Sequence, residues 1–220
     1  KLPGLLRQAL ASRVVVADGA MGTMLQAANP TLEDFQNHEG CNEILNVSRP
    51  DIVRSVHYEY LSAGVDAIET NTFGVNWSNL ADYGIEDRIY ELAYAGGKIA
   101  REAADAFSTS EKPRFVLGSL GPGTKLPSLG HTTYENLKIA YYTAAKGLSD
   151  SGCDALLVET SQDLLQVKAA INGCRQAIGE TDRDIVLIAQ VTVETTGTML
   201  LGSEIGAALN TLEPMGIDLI

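Results

Sequence analysis

Ala155-Leu156-Leu157-Val158-Glu159-Thr160 is the stretch whose reading decides the fold. Four apolar residues run without a break and stop at an acid. Thr160-Ser161-Gln162-Asp163 then offers a helix cap, and Leu164, Val167, Ala170, Ile171 and Cys174 follow at helical spacing. A strand with one wet face would alternate polar and apolar residues. A continuous apolar run is what a parallel strand, covered on both faces, requires.

The same pattern recurs on either side. Upstream stand Val14-Val15-Val16-Ala17, Val65-Asp66-Ala67-Ile68 and Phe115-Val116-Leu117-Gly118; downstream stand Ile185-Val186-Leu187-Ile188-Ala189 and Ile217-Asp218-Leu219-Ile220. Helical patterns separate these runs. Ser48-Arg49-Pro50-Asp51 offers a capping box and a first-turn Pro ahead of Ile52, Val53, Val56, Tyr60 and Leu61, with Gly64 as the stop. Ile89, Leu92, Ala93, Gly96, Ile99 and Ala100 form a second apolar face. Thr132-Thr133-Tyr134-Glu135 caps a third helix, with Leu137, Ala140, Tyr141, Ala144 and Leu148 inward. Gly206 to Leu212 fits a last helix.

Strand and helix in strict alternation, without hairpin signals, predict an α/β protein with a parallel sheet. Two features favour a (β/α)8 TIM barrel over a doubly wound sheet. No GxGxxG follows the first strand, and polar residues recur after every strand, as they do where all loops share one mouth. Such a barrel takes about 250 residues. The 220 residues here supply about six strands, so residues 1–220 are expected to be the N-terminal part of a single barrel domain, truncated after about six strands.

Composition narrows the function. Sixteen basic against 28 acidic residues give a net charge of −12, which argues against nucleic acid or an anionic membrane surface as a partner. No apolar run reaches the roughly 20 residues needed to span a bilayer. The start, Lys1-Leu2-Pro3-Gly4, has no signal-peptide core, and a cytoplasmic location is expected. Cys41, Cys153 and Cys174 have no CxxC spacing. The topology puts Cys153 and Cys174 (read as ending its helix) at the bottom of the barrel and Cys41 in a mouth-side loop, so they read as buried neutral thiols.

The strand ends carry the candidate chemistry. They read Asp18-Gly19-Ala20-Met21-Gly22-Thr23, Glu69-Thr70-Asn71-Thr72-Phe73-Gly74, Gly118-Ser119-Leu120-Gly121-Pro122-Gly123, Glu159-Thr160 and Gln190-Val191-Thr192-Val193-Glu194. Acids end four of the five, and converging carboxylates demand a cation, either a substrate amino group or a metal. Each also has a plainer reading. Asp18-Gly19 is a common turn, and Glu69 and Glu159 are residue types that favour helix N-termini. The Gly118–Gly123 loop lacks P-loop spacing and reads as a tight loop that lets a ligand approach backbone. His57 reads as structural. The connection after the first strand, with Asn37 to Glu43, is long enough to fold over the mouth.

These strand ends, together with Cys41-Asn42-Glu43-Ile44-Leu45-Asn46 and Val158-Glu159-Thr160, resemble the homocysteine-binding (homocysteine S-methyltransferase) domain of cobalamin-dependent methionine synthases. The resemblance runs in consistent order from about Arg13 to Ile220, and Leu25–Asn46 looks closer to that group than to betaine- or S-methylmethionine-dependent relatives. It implies a barrel that binds homocysteine at its mouth. Asp18 and Glu159 would hold the ammonium, and the N–H groups of Gly19 and Ala20 would approach the carboxylate. Asn71, Thr72 and Ser119 would be polar lining. It also implies zinc held by three cysteines, with cobalamin and folate domains in the same polypeptide. Those cysteines are expected beyond Ile220, so neither a catalytic group nor a bound cofactor is expected in this chain, which alone would be inactive. Two alternatives remain at this stage: a cobalamin-independent homocysteine S-methyltransferase and a non-catalytic amino-acid-binding barrel.

Overall fold

A computed structural model describes residues 3–220. In chain order the elements are α1 (Leu5–Ser12), α2 (Gly22–Ala27), α3 (Leu45–Ser48), α4 (Pro50–Ala63), β1 (Ala67–Glu69), α5 (Trp77–Ala81), α6 (Ile89–Phe107), β2 (Phe115–Leu120), α7 (Tyr134–Ser151), β3 (Ala155–Ser161), α8 (Leu164–Gly179), β4 (Val186–Val191) and α9 (Ile205–Leu212). The sheet is parallel and runs β1-β2-β3-β4. Parallel bridges extend it at both ends, Ala17 to Ala67 and Leu219 to Ile188. Six parallel segments thus follow chain order without the reversal that marks a doubly wound sheet, which is the wall of a barrel.

The first and sixth expected strands are reduced to these single bridges. Each has a partner on one side only, and Val14 and Val16 are largely exposed. The inner four strands lie within three residues of their expected positions.

The two faces of the wall are distinct. Ile68, Val116, Leu156, Val158, Leu187 and Ala189 pack outward under the helices. Ala67, Phe115, Leu117, Ala155, Leu157 and Val186 pack inward, closed from below by Leu6 of α1. Arg7 anchors that plug to Asp184 at 2.9 Å and Asp218 at 2.6 Å. By strand periodicity, the next inward positions toward the mouth are Glu69, Ser119 and Glu159. The barrel interior therefore changes from a dry core to a polar cup within one layer.

A repeat that the sequence reading passes over sets the strand heights. Gly64-Val65-Asp66, Gly152-Cys153-Asp154 and Gly216-Ile217-Asp218 each end a helix with a left-handed glycine (φ +103, +106 and +76). Each then places an aspartate that accepts the backbone N–H of the preceding strand: Val16 at 2.9 Å, Val116 at 2.9 Å and Leu187 at 2.8 Å. Arg13, Arg101 and Arg7 neutralise these aspartates in turn.

Local expectations are mostly met. Thr133 caps α7 by accepting the Asn136 N–H, and Gly64 closes α4. The capping box at Ser48 is not formed: Ser48 ends α3, its hydroxyl goes to the Ile44 carbonyl, and Arg49 occupies the N-cap of α4 with its side chain on Asp34 and Asp51 rather than on the helix N–H groups. Cys174 lies inside α8, which continues to Gly179. The outer helices touch through glycines. A Cβ on Gly147 would meet the Tyr90 carbonyl at 2.7 Å, and one on Gly173 the Lys138 carbonyl at 2.7 Å.

Candidate functional site

The mouth holds a cavity of about 390 Å³. Its wall includes Gly19, Ala20, Glu69, Asn71, Ser119 and Glu159, joined by Asn42 and Glu43 from the long first loop. That loop does reach the mouth, as its length suggests. None of the described residues lining the cavity is Lys, Arg or His, and three are glutamates.

A bulge aims Glu159. The β3–β4 register pairs Val158 with Ala189 and Ser161 with Val191, so Glu159 and Thr160 stand opposite Gln190 alone. Thr160 takes φ 55, a left-handed conformation that costs a β-branched residue about 1–3 kcal/mol. The Ser119 hydroxyl fixes the carboxylate by donating to Glu159 Oε1 at 2.5 Å. Asp18 stands beside this pair. Its carboxylate accepts the Glu69 N–H at 3.0 and 3.1 Å, which ties the first strand to β1.

The three acids act on one another. Burial, opposed by its hydrogen bonds and assisted by the Glu159 charge, pushes Asp18 up to about 7. Burial, then the charges of Glu159 and Asp18, push Glu69 up to about 8. The pocket thus disfavours negative charge until a cation compensates it.

The expected residues divide by position. Gly19, Ala20, Asn71, Ser119 and Glu159 line the cavity, and Asp18 lies against it through Glu69. The N–H groups of Gly19 and Ala20 donate to no acceptor among the described residues. Thr72 is fully buried behind the wall, with its hydroxyl given to the Ser119 carbonyl at 2.7 Å. The Asn71 amide donates to the Asn42 carbonyl at 2.8 Å and to Asn46 at 3.0 Å, which holds the first loop down. Glu194 does not join the cluster; its N–H closes a turn with Thr198 in the loop after β4. Within the Gly118–Gly123 stretch Ser119 faces the cavity, while Gly121 is packed against protein. A Cβ on Gly121 would lie 2.5 Å from the Phe73 carbonyl, and Tyr141 holds the Gly121 carbonyl at 2.8 Å.

Glu69, read from the sequence as a strand-end acid, and Glu43, read as part of the long first loop, also line the cavity, although the resemblance gives neither a role. Glu69 could have been found from its place two residues beyond inward-facing Ala67. Glu43 is turned into the protein, accepting the Gly74 N–H at 2.8 Å, and burial raises its pKa.

The residues present do not fit a zinc site. The three thiols are buried in separate places, and burial pushes them up to about 11 for Cys41 and about 12 for Cys153 and Cys174. No group of three or more His, Cys, Asp or Glu able to hold a metal ion occurs among the described residues. His57 is buried and neutral, with burial lowering it to about 4.

The sequence model of the homocysteine S-methyltransferase family matches residues 15–220. The chain belongs to the homocysteine S-methyltransferase family. It is 59% identical over 215 residues to the methionine synthase of Mycobacterium tuberculosis (strain ATCC 25618 / H37Rv) and 58% identical to that of Mycobacterium leprae (strain TN). Each match covers 98% of this chain and 18% of the relative, so the chain spans about a fifth of the length of these curated relatives. The fold is shared with the homocysteine methyltransferase MmuM from Escherichia coli. The metallated form superposes with a TM-score of 0.77 at 21% identity, covering 97% of this chain and 76% of that one. The oxidized form gives 0.78 at 20% identity, covering 99% and 76%. The truncated-barrel architecture expected from the strand pattern is therefore the observed one.

Proposed function

We propose that residues 1–220 are part of the homocysteine-binding barrel domain of a methionine synthase. The complete enzyme would transfer a methyl group from methylcobalamin, recharged by 5-methyltetrahydrofolate, to zinc-activated homocysteine, giving methionine. The observation that carries this reading is the set of Asp18, Glu69 and Glu159 around a cavity with no basic lining residue in a chain of this family. High identity to two methionine synthases supports the choice within the family.

This chain's own part is recognition. Asp18 and Glu159 meet the substrate ammonium, and the free N–H groups of Gly19 and Ala20 meet its carboxylate. With both charged ends held, only the thiol arm is left to reach a reacting partner. Zinc, where bound, would hold the sulfur as a thiolate. Its ligands are proposed to lie outside this chain, whose thiols are unsuited to the task, and catalysis belongs to the complete polypeptide. Cobalamin and folate domains would be partners within that polypeptide, and the cytoplasm its setting. No helix among the described residues is long and apolar enough to cross a membrane.

The test compares L-homocysteine with 4-mercaptobutanoate, which lacks the amino group, in calorimetric titrations of the complete enzyme. The amine is expected to contribute at least tenfold in affinity. Equal affinity for the two would reject the ammonium-binding role.

A further inference from the structure

We propose that Glu69 is a third recognition carboxylate of the mouth cavity, sharing a proton with Glu159 in the ligand-free pocket, and that the ammonium of the bound amino acid displaces this proton to solvent. The inference rests on the amino-acid reading above and deepens it.

Glu69 and Glu159 face one cavity, where the Ser119 hydroxyl fixes Glu159 Oε1, and burial, then the charges of Glu159 and Asp18, favour the protonated form of Glu69; a hydrogen bond between the two carboxyl groups needs that proton. Both line the cavity, so the site of the shared proton faces the ligand. Asp18 adds negative charge from the adjoining strand, held by the Glu69 N–H. From α4, Tyr60 sends its hydroxyl to the Ala20 carbonyl at 2.8 Å, and burial, then the charges of Asp18 and Glu59, raise its pKa. From the first loop, Glu43 is spent on Gly74 and on the Cys41 thiol. Among the described residues no cationic side chain lines the cavity to replace the proton.

The exchange is balanced. The ammonium keeps its three protons and its bonds, the carboxylic acid gives one proton to solvent, and the positive charge beside the acids is conserved because the ammonium replaces the proton there. Binding is then proton-linked. With Asp18 near 7 and Glu69 near 8, the ligand-free cluster holds about 1.4 protons at pH 7, enough to release one, and about a quarter of one at pH 8.5.

The test uses the complete enzyme and L-methionine, which carries the ammonium but no thiol, so ionisation at sulfur contributes nothing. Titration calorimetry at pH 6 to 8.5, in buffers of different ionisation enthalpy, counts protons directly. The expected result is release of about one proton per ligand at pH 7, falling toward pH 8.5, with affinity rising up to about tenfold per pH unit between pH 6 and 7.5. Glu69→Gln should at least halve the release and flatten the affinity profile. Should that variant not fold, the wild-type proton count still decides. Binding without proton release, or with release unchanged in Glu69→Gln, overturns this inference alone. Failure of both L-methionine and L-homocysteine to bind overturns the amino-acid reading and this inference with it.

Discussion

Glu159→Gln separates a recognition role from a structural one, because its effects on binding and on folding should have different signs. The carboxylate accepts the Ser119 hydroxyl at 2.5 Å and stands against Glu69, whose pKa its charge raises. An amide of the same shape keeps an oxygen for Ser119 and removes the repulsion, so the folded state should lose nothing and can gain. A ligand ammonium loses a charged hydrogen bond, which contributes about 1.5–3 kcal/mol. Dissociation constants for homocysteine should therefore rise about 10- to 150-fold. The assays are calorimetric titration with L-homocysteine and urea unfolding of the same preparation. An unchanged dissociation constant, or an unfolding midpoint that falls in step with the affinity, would refute the reasoning.

Three further outcomes follow from the same geometry. Gly147→Ala and Gly173→Ala should each destabilise by about 1–3 kcal/mol through overpacking, despite alanine's better helix propensity, whereas Gly206→Ala, with nothing within 4 Å, should stabilise by about 0.5–1 kcal/mol; urea midpoints decide. Asp18 and Glu69 hold protons in the folded protein that the unfolded chain releases near the ordinary carboxylate values of 3.8 and 4.5. Stability should thus fall as pH rises from about 5 to 8, by up to about 1.4 kcal/mol per pH unit for each proton retained, and a flat profile would contradict the raised values. Cys41, Cys153 and Cys174, buried and shifted upward, should react with a thiol reagent at pH 7.5 only on unfolding, and prompt labelling would show them accessible.

The wall of the barrel was legible because its strands are covered on both faces. Continuous apolar runs at residues 115–118 and 155–158 need no tertiary information to be recognised. The outer segments at 14–17 and 217–220 have the same composition but one neighbour each, so pattern alone overstated them. The cap at Ser48 failed because the four-residue α3 abuts α4 there, and the hydroxyl serves the first rather than the second. The Gly-x-Asp repeat escaped notice because each copy reads locally as a turn and the spacings are unequal; its meaning lies in bonds to a distant strand.

At the site, Asp18, Ser119 and Glu159 were readable as strand-end residues. Glu69 was readable in the same way as a strand-end acid, but its membership of the recognition set was not, because inward direction depends on register, and Glu69 is fixed as a lining group once Ala67 is known to face the interior core. Thr72 has the right residue type and neighbourhood, but it sits one layer behind, bonded to the Ser119 carbonyl. Glu194 lies three residues beyond the end of β4, in the loop that its N–H closes with Thr198, and nothing in composition distinguishes such an acid from one at the strand end that faces the mouth.

The gathering of acids around an amino-acid ammonium is tested most directly by a crystal structure of the complete enzyme with L-homocysteine. The nitrogen of the ligand should lie within about 3.2 Å of a Glu159 oxygen and of a second carboxylate from Asp18 or Glu69. A ligand whose carboxylate occupies that position, or one bound away from all three acids, would contradict the account.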